Sequence, residues 1–372
     1  MRTELCERFD IDYPIFVFTP SEKVAAAVTR AGGMGVLGCV RFNQPDELES
    51  VLNWMDANTD GKPYGVDVVM PAKVPTEGTS VDIGKLIPQT HREFVAKTLA
   101  DLGVPPLPED SAGNEGVLGW LHSVARSHVD VALGHRISLI ANALGSPPAD
   151  VIEQAHSVGV PLVALAGTAA HARRHVGNGV DIVVAQGYEA GGHTGEIASM
   201  VLVPEVVDAI GDTPVLAAGG IGSGRQVAAA LALGASGVWM GSAFLTAAEY
   251  DLGVRPADGP SVIQQALLAA TSSDTVRRRI YSGKPARLLK SRWTDAWDAE
   301  GAPEPLPMPL QNVLVAEAHQ RMSQSHDPGA VAMPVGQIVG RMNEVRPVAD
   351  IIAELVSGFE TATRKLDDIR DS

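Results

Sequence analysis

Two cysteines in 372 residues, Cys6 and Cys39, are too few for a disulfide framework and lack any zinc-type spacing. That scarcity fits a reducing compartment, with both thiols read as small buried apolar groups. Apolar runs of membrane-spanning length are missing as well, and the opening M-R-T-E-L-C-E-R-F-D has no hydrophobic secretory core. A cytoplasmic protein without a membrane partner is therefore expected. Basic residues number 29 against 44 acidic ones and form no dense run, which argues against nucleic acid as a partner. The net charge of -15 speaks for solubility more than for any ligand. With 45% hydrophobic and 20% charged residues, disorder and fibrous classes are disfavoured.

What the chain does have is a repeated unit. Eight short, continuously apolar runs recur at Tyr13–Phe18, Met34–Cys39, Tyr64–Met70, Ile137–Leu144, Pro161–Gly167, Ile182–Gly187, Val215–Gly220 and Gly237–Ser242. Continuous runs of this kind suit parallel strands covered on both faces. Segments of helical period separate most of them. Leu48, Val51, Leu52 and Met55 share one face behind an expected N-cap at Asn43, and Ser223 can cap a helix that stops at Gly234. Ser146-Pro147 is expected to open another helix, ending near Gly159. Eight such units predict an α/β fold, a (β/α)8 TIM barrel. A dinucleotide-binding sheet would need G-x-G-x-x-G after its first strand. Here that strand runs into Thr19-Pro20-Ser21, and Gly32-Gly33-Met34-Gly35 precedes a strand as a tight turn.

The barrel is expected over 1–70 and 131–255. Residues 71–130, with Pro71, Pro75, Pro88, Pro105, Pro106 and Pro108 and a helical stretch at Phe94–Leu102, are expected to form an inserted cap after strand three. Residues 256–372 form a C-terminal extension. It holds an extended A-P-E-P-L-P-M-P stretch at 302–309 and a final amphipathic helix carrying Val348, Ile351, Ile352, Leu355, Val356 and Phe359. That stripe must be buried against the barrel or a second copy, so a homodimer is one assembly the pattern allows.

Working groups of such barrels sit at the C-terminal strand ends, and the loops after strands seven and eight commonly hold a phosphate. Here those loops read Ala217-Ala218-Gly219-Gly220-Ile221-Gly222-Ser223-Gly224 and Met240-Gly241-Ser242-Ala243-Phe244. Glycines let backbone N–H groups approach an anion, and a helix N-terminus adds partial positive charge. A phosphorylated ligand is expected. After strand six comes Q-G-Y-E-A-G-G-H-T-G, residues 186–195, in which glycines frame His193.

The stretch P-V-L-A-A-G-G-I-G-S-G-R-Q-V-A-A-A-L-A-L-G-A-S-G-V-W-M-G-S-A-F, residues 214–244, resembles the FMN-binding half of the nitronate monooxygenase (2-nitropropane dioxygenase) family. The segment at 183–195 resembles that family's active-site stretch. Y-S-G-K-P-A-R-L-L-K at 281–290 is a further match, and A-A-A-V-T-R-A-G-G-M-G-V-L-G at 25–38 a weaker one. The resemblance implies FMN as cofactor, with Gln186, Gly191, Gly192, Gly219, Gly220, Gly241 and Ser242 around it, the later glycines and Ser242 at its phosphate. It implies His193 as the catalytic base. Inosine-monophosphate dehydrogenase shares the strand-seven and strand-eight pattern but needs a cysteine nucleophile, and neither Cys6 nor Cys39 lies in that region. Glu189 and Glu196 are read as orienting His193 or facing solvent. His122, His128, His135, His171 and His175 are read as structural or surface residues.

The chain departs from the family pattern in three places. Its first loop is shorter, the lysine often found on strand five is absent, and Gly65-Val66-Asp67 stands where the family commonly has Gly-Val-Asn. Asp67 thus enters the expected substrate pocket as a group that, when ionised, accepts hydrogen bonds but donates none and repels an anion. The expected activity is an FMN-dependent oxidation of alkyl nitronates with oxygen to carbonyl compounds. The alternative is an NAD(P)H-dependent reduction of a quinone or enoyl thioester on the same barrel, and a further reading is a flavin-binding module without catalysis.

Overall fold

The structure, a computed structural model, describes residues 1–70, 83–107 and 122–372. Its strands in chain order are β1 (Ile15–Thr19), β2 (Met34–Gly38), β3 (Tyr64–Asp67), β4 (Ile137–Asn142), β5 (Leu162–Ala166), β6 (Ile182–Gln186), β7 (Gly192–His193), β8 (Val215–Ala218), β9 (Gly237–Met240), β10 (Thr275–Arg278) and β11 (Ala286–Leu289). The strands β1-β2-β3-β4-β5-β6-β8-β9 form a closed parallel barrel, β9 pairing back onto β1. All eight expected strands are present, and helices fill the connections between them.

Each barrel strand is buried on both faces, which is why the sequence shows continuous apolar runs instead of alternation. Phe16, Met34, Val36, Leu139, Ala141, Val163, Ile182, Val184, Leu216, Ala218 and Trp239 fill the interior. Tyr64, Val66 and Leu162 point outward, toward helices that contribute Leu48, Leu52, Met55 and Val129. Two helix starts fall slightly off their expected places. The helix over Pro45–Asn58 is capped by Gln44 instead of Asn43, because the Glu47 carboxylate accepts the N–H groups of both residues. The next helix after β4 begins at Ala149, since Ser146 is held by His175, its Oγ 2.7 Å from Nδ1. Ser223 stands at the N-cap position of the helix Gly224–Ala232, but its hydroxyl donates to the Gln226 side chain at 3.0 Å instead of capping a backbone N–H.

The C-terminal helix Val348–Arg370 buries its stripe within the chain, against the barrel helices Glu22–Arg30 and Gly224–Ala232. Backbones meet there: a Cβ on Gly224 would sit 2.2 Å from the Leu355 carbonyl oxygen. Of the expected cap, residues 71–82 and 108–121, with Pro71, Pro75 and Pro108, lie outside the described residues. The described part, including the helix Gln89–Asp101, shares a core with the extension: Ile87, Val95, Leu99 and Val104 pack with Trp293, Trp297, Leu314 and Met322. No described helix is long and apolar enough to cross a membrane.

Candidate active site

Alternation along the strands decides which residues face the barrel mouth. On β6, Ile182 and Val184 face inward, so Gln186 at the strand end does too. On β3, a Cβ on Gly65 would strike the interior side chain of Leu139 at 2.6 Å, which puts Gly65, and two residues on Asp67, on the inner face. Asp67 is 3% exposed, and burial pushes its carboxyl up to about 7.

The loop after β8 turns through Gly219 and Gly220, both in the left-handed region at φ +98° and +72°. A Cβ on Gly219 would come within 3.1 Å of Ala190 N and 3.2 Å of Gly187 O, so only glycine lets this loop pass the His-bearing one. Gln226 braces the turn, accepting from Gly222 N–H at 2.9 Å and donating to the Gly220 carbonyl. After β9, Ser242 Oγ accepts the Gly336 N–H at 2.8 Å, and a hydroxyl in that role keeps its own proton to donate.

His193 lies on β7, outside the barrel, where β11 pairs it with Ala286 and Gly192 with Arg287. Its Nε2 is 2.6 Å from Ser282 Oγ, and the Tyr281 ring stands edge-on to the imidazole at 6.4 Å. Burial, and to a lesser extent the Lys284 charge, lower its pKa to about 4, so the ring is neutral at neutral pH. The rest of the loop is clamped from the same sheet. Arg287, 2% exposed, donates from Nε and Nη2 to the Tyr188 carbonyl at 3.1 and 3.0 Å, and from Nη1 to Thr275 Oγ1 at 3.0 Å. Its guanidinium also covers the Tyr188 ring at 4.4 Å.

The glycines before His193 have two separate reasons. Gly192 adopts φ +74°, a turn that suits glycine. A Cβ on Gly191 would lie 2.7 Å from Gly336 N and from the Val335 carbonyl carbon, so its missing side chain makes room for the C-terminal extension. Glu189 accepts from the N–H and hydroxyl of Ser199 at 2.9 and 3.0 Å, an anchor for the helix Ser199–Ile210, and does not orient His193. Glu196 is exposed, 3.6 Å from Arg277. Among the other histidines, His175 bonds Ser146 and the Leu165 carbonyl, His135 pairs with Asp56 at 2.8 Å, and His128 is buried.

No local sequence pattern assigns a role to Tyr281, Ser282, Arg287 or Gly336. The matched stretch at 281–290 was the available signal, and its function is now visible: it is the wall against which the histidine loop is set. Ser282→Ala removes one hydrogen bond to the imidazole, worth about 1 kcal/mol, and is expected to lower turnover about fivefold while leaving bound cofactor unchanged. Steady-state kinetics beside an absorption spectrum checks this.

A nitronate monooxygenase family model matches residues 3–358. A Mycobacterium tuberculosis protein named as a candidate monooxygenase is 49% identical, with 96% of each chain covered. A Staphylococcus aureus protein named as a probable nitronate monooxygenase is 26% identical, covering 96% of this chain and 97% of its own. Among solved structures, a nitroalkane oxidase from Streptomyces ansochromogenes superposes with a TM-score of 0.78 at 27% identity, covering 97% of this chain and 99% of its own. FabK from Thermotoga maritima superposes at 0.73 with 26% identity, over 99% of both chains. The chain is an oxidoreductase and belongs to the nitronate monooxygenase family.

Proposed function

We propose that this enzyme binds FMN across the barrel mouth and oxidises alkyl nitronates with oxygen to carbonyl compounds. The observation that carries the reading is His193: a neutral imidazole braced by Ser282 on the loop that follows β6. The residues present fit the cofactor. Gly219 and Gly220 form a left-handed turn that favours glycine, with the space for a side chain already taken at Gly219, the helix Gly224–Ala232 starts behind it, and Ser242 on the neighbouring loop after β9 has a hydroxyl to donate. Gly241 belongs to the same wall, where a Cβ would meet the Phe18 carbonyl oxygen at 3.4 Å. Gln186 points into the mouth with an amide that both donates and accepts. Bound flavin supplies the electron-transfer and oxygen chemistry that no side chain can.

The low basicity of His193 selects among substrates. A base held near 4 is poorly matched to pulling a proton from the carbon of a neutral nitroalkane, whereas a nitronate has already lost that proton. The 2.6 Å contact between its Nε2 and the Ser282 hydroxyl fixes the orientation of the ring on β7. The purified protein is expected to be yellow, to lose its flavin absorbance when mixed anaerobically with propionate 3-nitronate, and to consume oxygen when air is present. Colourless protein that takes up no added FMN removes the cofactor reading; flavin that nitronate does not bleach removes the substrate reading.

Asp67 favours a second reading, the NAD(P)H-dependent reduction of a quinone or enoyl thioester, because a buried carboxyl that keeps its proton can donate to a carbonyl oxygen. Anaerobic bleaching by NADH or NADPH separates the two.

A further inference from the structure

We infer that Asp67 is the specificity-determining residue of the pocket: its carboxyl holds a proton, presents it to an oxygen of the substrate, and excludes anionic substrates when that proton is lost. The inference rests on the barrel mouth being the active site, as proposed above, and goes beyond it by assigning the group that reads substrate charge.

The geometry is that of a buried acid without a counter-charge. Asp67 closes β3 on the inner face, in register with Gly38 of β2 and Ala141 of β4. Both neighbours are small and apolar, so the strand ends flanking the carboxyl bring it no polar side-chain partner. On β2 the space over Gly38 is taken by the Phe18 ring, 2.9 Å from where a Cβ would be. Phe18 brings no charge. Beyond Gly38, Cys39 is fully buried and its thiol is pushed up by burial and by Asp67 itself, so it is neutral. Beyond Ala141, the Asn142 side chain is fully committed: its amide donates to the carbonyls of Met70 and Gly145, and its oxygen accepts from Met70 and Leu144. Val68 and Val69, which continue the chain after β3, are apolar. Among the described residues, then, no cation and no hydrogen-bond donor meets the carboxylate.

A carboxylate so placed has lost its water without gaining a partner, and the proton is what replaces both. Protonated, the group donates to a nitronate or carbonyl oxygen. Ionised, it puts a negative charge at low dielectric beside the site an anion must occupy.

The test uses the flavin-loaded enzyme and its Asp67→Asn variant, which keeps the size and a donor but cannot ionise. Infrared difference spectra of the wild type are expected to show a protonated-carboxyl band that titrates near pH 7 and is absent from the variant. With propionate 3-nitronate as probe, the wild-type KM is expected to rise about tenfold for each pH unit above that midpoint at nearly constant kcat. The variant's KM should stay flat. Wild-type infrared spectra without such a band overturn the proposal, as does a KM that follows pH identically in the two proteins. Failure of the nitronate reading itself looks different: no turnover at any pH, with the infrared titration still deciding whether Asp67 holds its proton.

Discussion

Replacing His193 with alanine is expected to cut kcat/KM for a neutral nitroalkane by about 10²–10⁴-fold, the range that a positioned base contributes, while propionate 3-nitronate, which has no such proton to lose, is affected far less and the flavin stays bound. Separation of the two effects follows from the architecture. The proposed cofactor cradle lies in the loops after β8 and β9, whereas His193 hangs on β7 and is braced by Ser282 and Tyr281 of the extension. Truncating the imidazole therefore removes the proton-handling group without touching the glycine turn. His193→Asn should recover little, because an amide can hydrogen-bond but not take a proton at neutral pH. The wild-type profile is a second measure. A group held near 4 stays neutral as pH falls from about 7 to about 5, so activity should be level there and drop only as its protonation begins. Unchanged turnover in both variants would make the histidine a structural residue and favour a flavin-binding module without catalysis.

How much of this was legible in the sequence depends on the range of the interactions. The barrel was readable because its signal is local: each of its eight strands is a short apolar run, repeated with helical segments between. Gly219, Gly220 and the helix start at Ser223 were readable for the same reason, since turns and helix starts involve neighbours a few residues apart. The site's walls were not. Ser282 meets His193 across 89 residues and Arg287 meets Tyr188 across 99. Gly191 shows the difference within a single residue: its presence in a glycine turn suggested room for a ring, while its Cβ position is filled by the backbone of Val335–Gly336, which no local pattern announces. Asp67 was visible as an unusual residue in an expected place, but its lack of a counter-charge belongs to Gly38, Phe18 and Asn142, which only the closed barrel brings around it.

Arg287→Ala is expected to have the largest effect on stability of any change in the histidine loop, about 3 kcal/mol or more, with a parallel loss of bound flavin. The guanidinium is buried and holds a carbonyl through two parallel N–H groups, a hydroxyl through a third, and an aromatic face beneath it. Bonds to a charged donor contribute about 1.5–3 kcal/mol each when removed singly, and the truncation also opens a void and strips the Tyr188 carbonyl of its partners. Since that carbonyl lies between Gln186 and Gly191, the loop carrying His193 loses its side-chain anchor to β11 at the same moment and keeps only the backbone pairing of β7 with β11. Arg287→Lys separates charge from geometry. An ammonium restores the positive charge but cannot present the planar fork, so it should recover part of the melting temperature and little of the activity. Thermal unfolding followed by flavin fluorescence, beside kcat for propionate 3-nitronate, measures both. Equal activity for the lysine variant and the wild type would show that charge alone positions the loop, and the bidentate grip on Tyr188 would then not be what holds His193 in place.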